Sequence, residues 1–367
     1  MVMRKKRLCI IVPAHWTAFM GGSQYQVKLL LEMLIPQDEF EVFYLARKIN
    51  TSDLPGDHHV IQIAEHKGVR VHGYTFDALR LLRLLNEIKP DVIYQRVACA
   101  YTGIAAFYAK KNHCKMIWHI AHEWDVMPGY GFSNSRVISW VERKWIDYGI
   151  KNASYIVSQT KDQADLLLKN YGRSVDAIVP NFQPIPSEKI IKETPIKVLW
   201  VANFKKMKRP ELFVNLSRDL SSLRGVRFIM VGDPGPSGKY KSLLEEIQKI
   251  DNLEYLGQVS QEDVNRLLSQ SHIFVNTSIT EGFPNTFIQA WMREVPVISM
   301  DVNPDDVLES NGIGFCANGS YEKLRELLSS MVSNHSERQI MGKKARDYAE
   351  HIHTPMGAHA LIKLFLG

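Results

Sequence analysis

Short runs that are apolar on both faces alternate with longer segments of helical spacing along this chain, and that alternation most limits its fold. Positions 8–12 (Leu-Cys-Ile-Ile-Val) offer no polar face, so a strand there must be covered on both sides. Next come 23–34, with apolar Val27, Leu30, Leu31 and Leu34 spaced three and four apart as on a helix. Further strands are predicted at 40–45, 69–72, 92–94, 116–121, 155–158 and 177–179, with helices between most of them, as at 78–88 and 161–171. Doubly apolar strands joined by helices imply a parallel sheet with helices on both faces.

Three prolines within 180–186 (Pro180, Pro184, Pro186) cannot belong to a central strand or a helix interior, so this stretch is predicted as a hinge. The alternation then restarts. Strands are expected at 198–201, 227–231, 253–256, 273–276 and 297–299, with helices at 211–220, 240–249, 262–269, 286–293 and 321–331. Two late helical segments, 337–351 and 356–365, are separated by Pro355. A chain of 367 residues exceeds what one hydrophobic core usually supports. The expectation is therefore two doubly wound α/β domains, 1–183 and 184–350, with 351–367 returning to pack on the first. Such sheets bind ligands beyond the carboxyl ends of their strands, so two facing sheets would form a cleft there.

Composition removes several classes. An apolar fraction of 45% and a charged fraction of 23%, without biased tracts or a fixed repeat, fit an ordinary globular protein. Cys9, Cys99, Cys114 and Cys316 form no Cys-x-x-Cys pair and are expected to be reduced, buried thiols in a cytoplasmic protein, with no metal site. No apolar run approaches the ~18 residues of a membrane span. The basic start (Arg4, Lys5, Lys6, Arg7) precedes only five apolar residues before Pro13, short of a secretory core of ~7–15 residues. The net charge of +6, from 45 basic and 39 acidic residues, permits attraction to an anionic membrane face or a phosphorylated substrate. No basic stretch is interleaved with stacking aromatics, so nucleic acid is not an expected partner.

Three loops after predicted strands carry the unusual residues. The first ends in Gly21-Gly22-Ser23 before a helix; glycines there let backbone amides approach an anion, and the helix dipole adds positive charge. It lacks the Gly-x-Gly-x-x-Gly spacing of a dinucleotide dehydrogenase. The second, 200–210, brings Lys205, Lys206, Lys208 and Arg209 to a strand end, where fixed positive charge suits a departing diphosphate. The third runs Asn276-Thr277-Ser278-Ile279-Thr280-Glu281-Gly282-Phe283-Pro284-Asn285-Thr286 and continues to Gln289. There a strand ends, a carboxylate able to accept from sugar hydroxyls follows, and a Gly-Phe-Pro turn opens a helix. His15, His113 and His119 also fall near strand ends, but no His-x-x-x-His pair appears, and His119 is expected in the core.

In this order and spacing, the chain resembles the retaining GT-B glycosyltransferases of the GT4 family, the group 1 proteins. The resemblance is carried by Gly21-Gly22, His122-Glu123-Trp124, Pro180-Asn181, the 205–209 loop, Val231-Gly232-Asp233-Pro234, the 252–257 run, the 281–290 run and Val295-Pro296-Val297-Ile298. It implies two Rossmann-like domains facing across a cleft and transfer of a hexose, with retention, from a nucleotide-sugar to an acceptor. Glu281 matches the first glutamate of the family's E-x7-E signature, at the donor sugar. Lys208 matches the diphosphate-binding lysine, and His122 a histidine near the donor sugar; these three are the expected catalytic set. Gly21, Gly22, Asn203, Lys205, Gly232, Gly282, Phe283, Pro284, Asn285, Thr286 and Gln289 are the expected donor-binding set. Asn203 stands where many relatives have arginine, so Lys205 is expected to supply the second phosphate contact. Gln289 replaces the second glutamate of the signature, leaving a neutral acceptor for ribose hydroxyls at a cost of roughly 1 kcal/mol.

The resemblance implies front-face transfer in which the leaving phosphate takes the acceptor's proton, because Glu281 alone is well placed and a second carboxylate is missing. Cations and helix dipoles replace a metal, so no metal and no cofactor are expected beyond the UDP- or GDP-linked donor. The acceptor would be a saccharide or lipid-linked glycan of cell-surface polysaccharide or glycoconjugate synthesis, held mainly by the N-terminal domain. Within 127–151, Trp140, Trp145 and Tyr148 lie beside Arg136, Arg143, Lys144 and Lys151, which suits peripheral contact with the inner membrane face. The stripe of Ile138, Val141, Trp145 and Tyr148 could equally pack on its own domain. Two alternatives keep the architecture: a non-catalytic nucleotide-sugar-binding relative, and a nucleotide-sugar epimerase that needs no acceptor.

Overall fold

The computed structural model describes residues 4–64, 73–129 and 135–367 and divides into two compact units. Unit 1 comprises Met1–Asn181 together with Pro355–Gly367, and unit 2 comprises Phe182–Thr354. The division at Asn181 falls inside the proline-punctuated stretch 180–186.

Unit 1 holds strands β1 (Lys6–Ala14), β2 (Phe40–Lys48), β3 (His59–Gln62), β4 (Val92–Arg96), β5 (Lys115–His119), β6 (Tyr155–Ser158) and β7 (Ala177–Ile178). Helices α1 (Gly22–Leu34), α2 (Ala78–Ile88), α3 (Ala100–Asn112), α4 (Arg136–Asn152) and α5 (Lys161–Tyr171) connect them. Among the described residues the strands form one parallel sheet in the order β3-β2-β1-β4-β5-β6-β7. Residues 8–12 of β1 are fully buried, as strands apolar on both faces require. The order reverses direction between β1 and β4, so the loops leaving those strands border the crevice where open parallel sheets take ligands.

Unit 2 holds β8 (Ile196–Val201), β9 (Val226–Val231), β10 (Leu253–Tyr255), β11 (Ile273–Asn276), β12 (Val297–Ser299) and β13 (Gly314–Cys316). Its helices are α6 (Pro210–Asp219), α7 (Lys241–Ile247), α8 (Gln261–Gln270), α9 (Asn285–Trp291), α10 (Val307–Ser310), α11 (Tyr321–Ser333) and α12 (His335–Ile352). The sheet is again parallel, in the order β10-β9-β8-β11-β12-β13, with its reversal between β8 and β11. The two loops singled out in this half, 202–209 and 277–284, leave those two strands.

The last helix, α13 (His359–Leu366), belongs to unit 1. Its Phe365 is fully buried, with ring centroids 6.2 Å from Phe40 and 5.6 Å from Tyr94, both edge-on.

Helix α3 is absent from the expectations above, and its sequence explains why. Ala100 through Ala106 are all fully or almost fully buried, so no polar face gives it a readable period. It lies against α4 through two glycines. A Cβ on Gly103 would stand 2.0 Å from the Trp145 carbonyl oxygen, and one on Gly149 would stand 2.7 Å from the Thr102 oxygen. The short β3, β13 and α10 are likewise unpredicted, and the strand expected at 69–72 lies outside the described residues. Cys9, Cys99 and Cys316 are buried and Cys114 half-buried, all as free thiols.

Candidate active site

In unit 2 the loops after β8 and β11 are tied together by their own side chains. Arg209 takes a left-handed backbone (φ 45°) as the chain enters α6, whose first residue is Pro210. Its Nε donates to the Thr277 carbonyl at 2.7 Å and its Nη2 to the Ser278 carbonyl at 3.2 Å, and it also pairs with Asp301. Thr277 Oγ1 donates to the Lys208 carbonyl at 2.5 Å and accepts from Trp200 Nε1 at 2.9 Å. The Ile279 amide donates to the Met207 carbonyl at 2.8 Å. Sequence alone counts Arg209 among four cations awaiting an anion. The structure corrects this: its guanidinium is consumed in holding the two loops in register.

Lys208 emerges from this scaffold beside Glu281, with Nζ 2.8 Å from Oε1. Asn276 Nδ2 at 2.9 Å and Ser278 Oγ at 2.7 Å reach the same oxygen. Burial by itself would push the Glu281 carboxyl up. The Lys208 charge and the hydrogen bonds from Lys208, Ser278 and Asn276 outweigh it and hold the pKa below its ordinary value. The result is an ionised carboxylate with Oε1 engaged and Oε2 left to accept. Asn276 and Ser278 are functional residues that sequence reasoning quotes but assigns no role; polar residues at the end of a buried strand, just before a carboxylate, are the signal for them.

Lys205 and Lys206 lie on the same turn, and partial burial of the Lys205 ammonium, followed by the charge of Lys208, lowers the Lys205 pKa. Asn203 is exposed and accepts through Oδ1 from the Asp233 amide at 3.3 Å, while the Phe204 amide donates to the Asp233 carbonyl at 2.8 Å. Gly232 lets those segments meet: its φ is 152°, and a Cβ there would lie 1.8 Å from the Ala202 carbonyl oxygen. Gly232 therefore shapes the loop that presents Asn203 and Lys205.

Gly282, Phe283 and Pro284 are buried, and Asn285 and Thr286 form the half-buried first turn of α9. Phe283 anchors the turn, its ring 6.0 Å from Trp291 and 4.7 Å from His353. Gln289 is only 2% exposed; Nε2 lies 3.4 Å from Asn265 Oδ1, leaving Oε1 as the free acceptor of its amide.

In unit 1, Gly21 is the N-cap of α1, and no side chain caps that turn. A Cβ on Gly21 would approach Phe19 to 2.7 Å and Gln24 Oε1 to 2.8 Å. Gly22 opens the helix, and its first turn carries no acidic residue. His122 follows β5 and caps the turn Glu123–Val126: its Nδ1 accepts from the Trp124 amide at 3.1 Å, so the neutral ring bears its proton on Nε2. The loop is fixed by buried Asp125, whose Oδ2 accepts from the Ala121 amide at 2.8 Å and the His122 amide at 3.2 Å. Burial raises the Asp125 pKa to about 6, against the opposing pull of those amides and Arg96. His119 is a core residue paired with the Tyr94 hydroxyl at 2.8 Å, and His113 is an exposed C-cap of α3. His15 is buried against Trp16 and Tyr44, its pKa pushed down to about 4 by burial and then by His58. Among the described residues, no group of three or more His, Cys, Asp or Glu is arranged to hold a metal.

On α4, Ile146 and Ile150 face the core, and Trp145 packs edge-on against Phe107 with centroids 6.5 Å apart. Arg143 donates to the Met127 carbonyl at 2.9 Å and the Tyr171 hydroxyl at 2.6 Å. Val137 (72% exposed) and Trp140 (62%) stay outside, with Lys144 lying over the Trp140 ring at 5.6 Å. No helix of the described residues is long and apolar enough to cross a membrane.

The chain is similar to an uncharacterized glycosyltransferase, MJ1059, of Methanocaldococcus jannaschii, with 23% identity over 62% of this chain and 60% of that one. It is also similar to the gpi3 subunit of phosphatidylinositol N-acetylglucosaminyltransferase of Schizosaccharomyces pombe, with 25% identity over 58% of this chain and 47% of the other. The chain thus spans about half the length of the curated relatives it matches. The crystal structure of Anabaena HepE in complex with UDP and glucose superposes with a TM-score of 0.75 over 98% of both chains at 13% identity, so the α/β GT-B fold is shared. The model for glycosyl transferases group 1 matches residues 181–348, nearly all of unit 2. The matched segment is the part of the chain that carries Lys208, Glu281 and the loops sewn together by Arg209, and there the chain is similar to the glycosyl transferases group 1.

Proposed function

We propose that the protein is a retaining, metal-independent glycosyltransferase that moves a hexose from a UDP- or GDP-sugar to a saccharide or lipid-linked glycan acceptor in cell-surface polysaccharide or glycoconjugate synthesis. The observation that carries this reading is the Lys208–Glu281 pair, a cation and an ionised carboxylate held 2.8 Å apart at the switch point of the unit 2 sheet. Similarity to a protein crystallised with UDP and glucose supports a uridine-linked donor.

In this mechanism the diphosphate lies against Lys208 and Lys205, whose charge stabilises it as the anomeric bond breaks. Glu281, through Oε2, accepts from hydroxyls of the donor sugar and fixes its orientation. Gln289 offers Oε1 to the ribose. No carboxylate serves as nucleophile: the acceptor hydroxyl attacks on the face the phosphate leaves, and the phosphate oxygen takes its proton. His122 contacts the donor sugar, and the backbone amides at Gly21 and Gly22 contact the diphosphate. Unit 1 binds the acceptor, and the exposed Val137, Trp140 and Lys144 of α4 rest on an anionic membrane face.

Turnover of Glu281→Ala and Lys208→Ala with a panel of UDP- and GDP-sugars tests this. Each variant is expected to lose about a hundredfold or more, the scale of removing one oriented electrostatic contact. Unimpaired variants would remove both assignments.

A further inference from the structure

Unit 2 has a second concentration of positive charge, at the opposite ends of its strands from Lys208 and Glu281. A cavity of about 230 Å³ is lined by Lys192, His272, His335, Arg338 and Lys343, with Glu294 as its one carboxylate. His272 immediately precedes β11 and Glu294 lies just before β12, so the cavity sits at the amino-terminal ends of the strands. The donor-site loops leave the carboxyl-terminal ends.

The positive groups there are held in place and only partly offset. Buried Arg338 donates through Nη1 to the Met331 carbonyl at 2.7 Å and the Val332 carbonyl at 3.0 Å, and its Nη2 lies 3.2 Å from His335 Nδ1. Lys192 Nζ donates to the Glu294 backbone carbonyl. Carbonyl dipoles orient a cation without cancelling its charge. Glu294 faces Lys192 but is shared with Arg346, 3.5 Å away, while Glu188 pairs with Arg293 and Glu337 is tied to Asn334 at the start of α12. His272 Nδ1 accepts from the Lys197 amide at 3.1 Å, so its neutral ring keeps a donor at Nε2. The electrostatics record the imbalance. Burial, then Lys192, Arg338, Lys197 and His335, push the His272 pKa down to about 4. Burial, with Arg338 adding to it against Glu294, lowers Lys192 to about 8.

We propose that this cavity is a binding site for a small phosphate-bearing anion, inorganic phosphate or a phosphate monoester, distinct from the donor site and independent of the activity proposed above. Lys192, Arg338 and Lys343 supply the charge and the two histidines supply ring N–H donors, a set suited to a compact dianion.

Isothermal titration of inorganic phosphate into the full chain tests it. Millimolar or tighter binding is expected, and it should persist in K205Q/K208Q, where the diphosphate lysines are gone. His335→Gln with Lys343→Gln, both exposed on α12, is expected to weaken it about tenfold without lowering the phosphate-free melting temperature. Lys192→Gln should weaken it similarly. No binding at millimolar phosphate, loss of binding in K205Q/K208Q, or unchanged affinity in H335Q/K343Q would each overturn the proposal.

Discussion

The ammonium of Lys208 and Oε1 of Glu281 are 2.8 Å apart, and that one oxygen also receives Asn276 and Ser278. The carboxylate's charge state is therefore set by its neighbours rather than by its burial. Its folded-state pKa lies below the ordinary 4.5, so its stabilising contribution is present above that value and is lost as pH falls through the folded value. In Lys208→Met the chief opposing charge is gone and burial raises the pKa, so the variant carries a poorly compensated buried charge at neutral pH that protonation relieves, and its stability deficit should shrink as pH falls. Melting temperatures across the acid range check this; a deficit that stays constant or widens on acidification would refute it.

Gly232→Ala should destabilise unit 2 by about 2–4 kcal/mol, because the new methyl meets the Ala202 carbonyl oxygen at 1.8 Å and the φ of 152° is strained for any L side chain. Gly235→Ala separates the two causes. Its φ is also positive, at 72°, but nothing stands within 4 Å, so about 1–2 kcal/mol is expected. Urea melts giving equal losses would show that the carbonyl contact does not demand the glycine.

Arg209→Lys keeps the charge but loses the planar fork that reaches two carbonyls and Asp301 together. A loss of about 2 kcal/mol is expected, with weaker nucleotide-sugar binding because both donor-site loops loosen. A variant with wild-type urea midpoint and donor affinity would show that the loops are held by other means.

Gln289→Glu restores the acidic residue that the family pattern carries at this position. If Oε1 contacts the ribose, a carboxylate there should tighten donor binding about fivefold, roughly 1 kcal/mol, while lowering the ligand-free melting temperature by burying a charge beside Asn265. Calorimetry that finds donor affinity unchanged or weaker would remove the ribose contact.

Trp140→Ala and Lys144→Ala should each reduce co-sedimentation with anionic vesicles several-fold at low salt, since both residues project from α4. Wild-type protein that stays in the supernatant would end the membrane assignment.

Much of this fold was legible because buried parallel strands leave continuous apolar runs. Ile273–Asn276 and Val297–Ser299 appear at the expected limits, as do the helices Ala78–Ile88 and Lys161–Tyr171. The failures share a cause. Helix α3 is buried all round over its first two turns, Ala100–Ala106, and packs through glycine, so amphipathic periodicity could not mark it. At the candidate site, residue types pointed to the two loops, but type alone could not divide their cations. Lys208 and Arg209 are neighbours of like charge, yet Lys208 meets Glu281 while Arg209 ties the two loops together through backbone carbonyls and Asp301. That distinction depends on the αL turn at Arg209, which exists only once the loops have met. Asn276 and Ser278 escaped for the same reason: short polar side chains acquire a role from where a strand ends.

The placement of α13 in unit 1 has a consequence for synthesis. Phe40 and Tyr94 leave the ribosome well before Phe365, the ring that packs on them, and the whole of unit 2 is made in between. Of the two units, the one begun earlier is therefore sealed later. Unit 2, whose 173 residues run without interruption from Phe182 to Thr354, has its complete sequence available while its neighbour still waits for its closing helix.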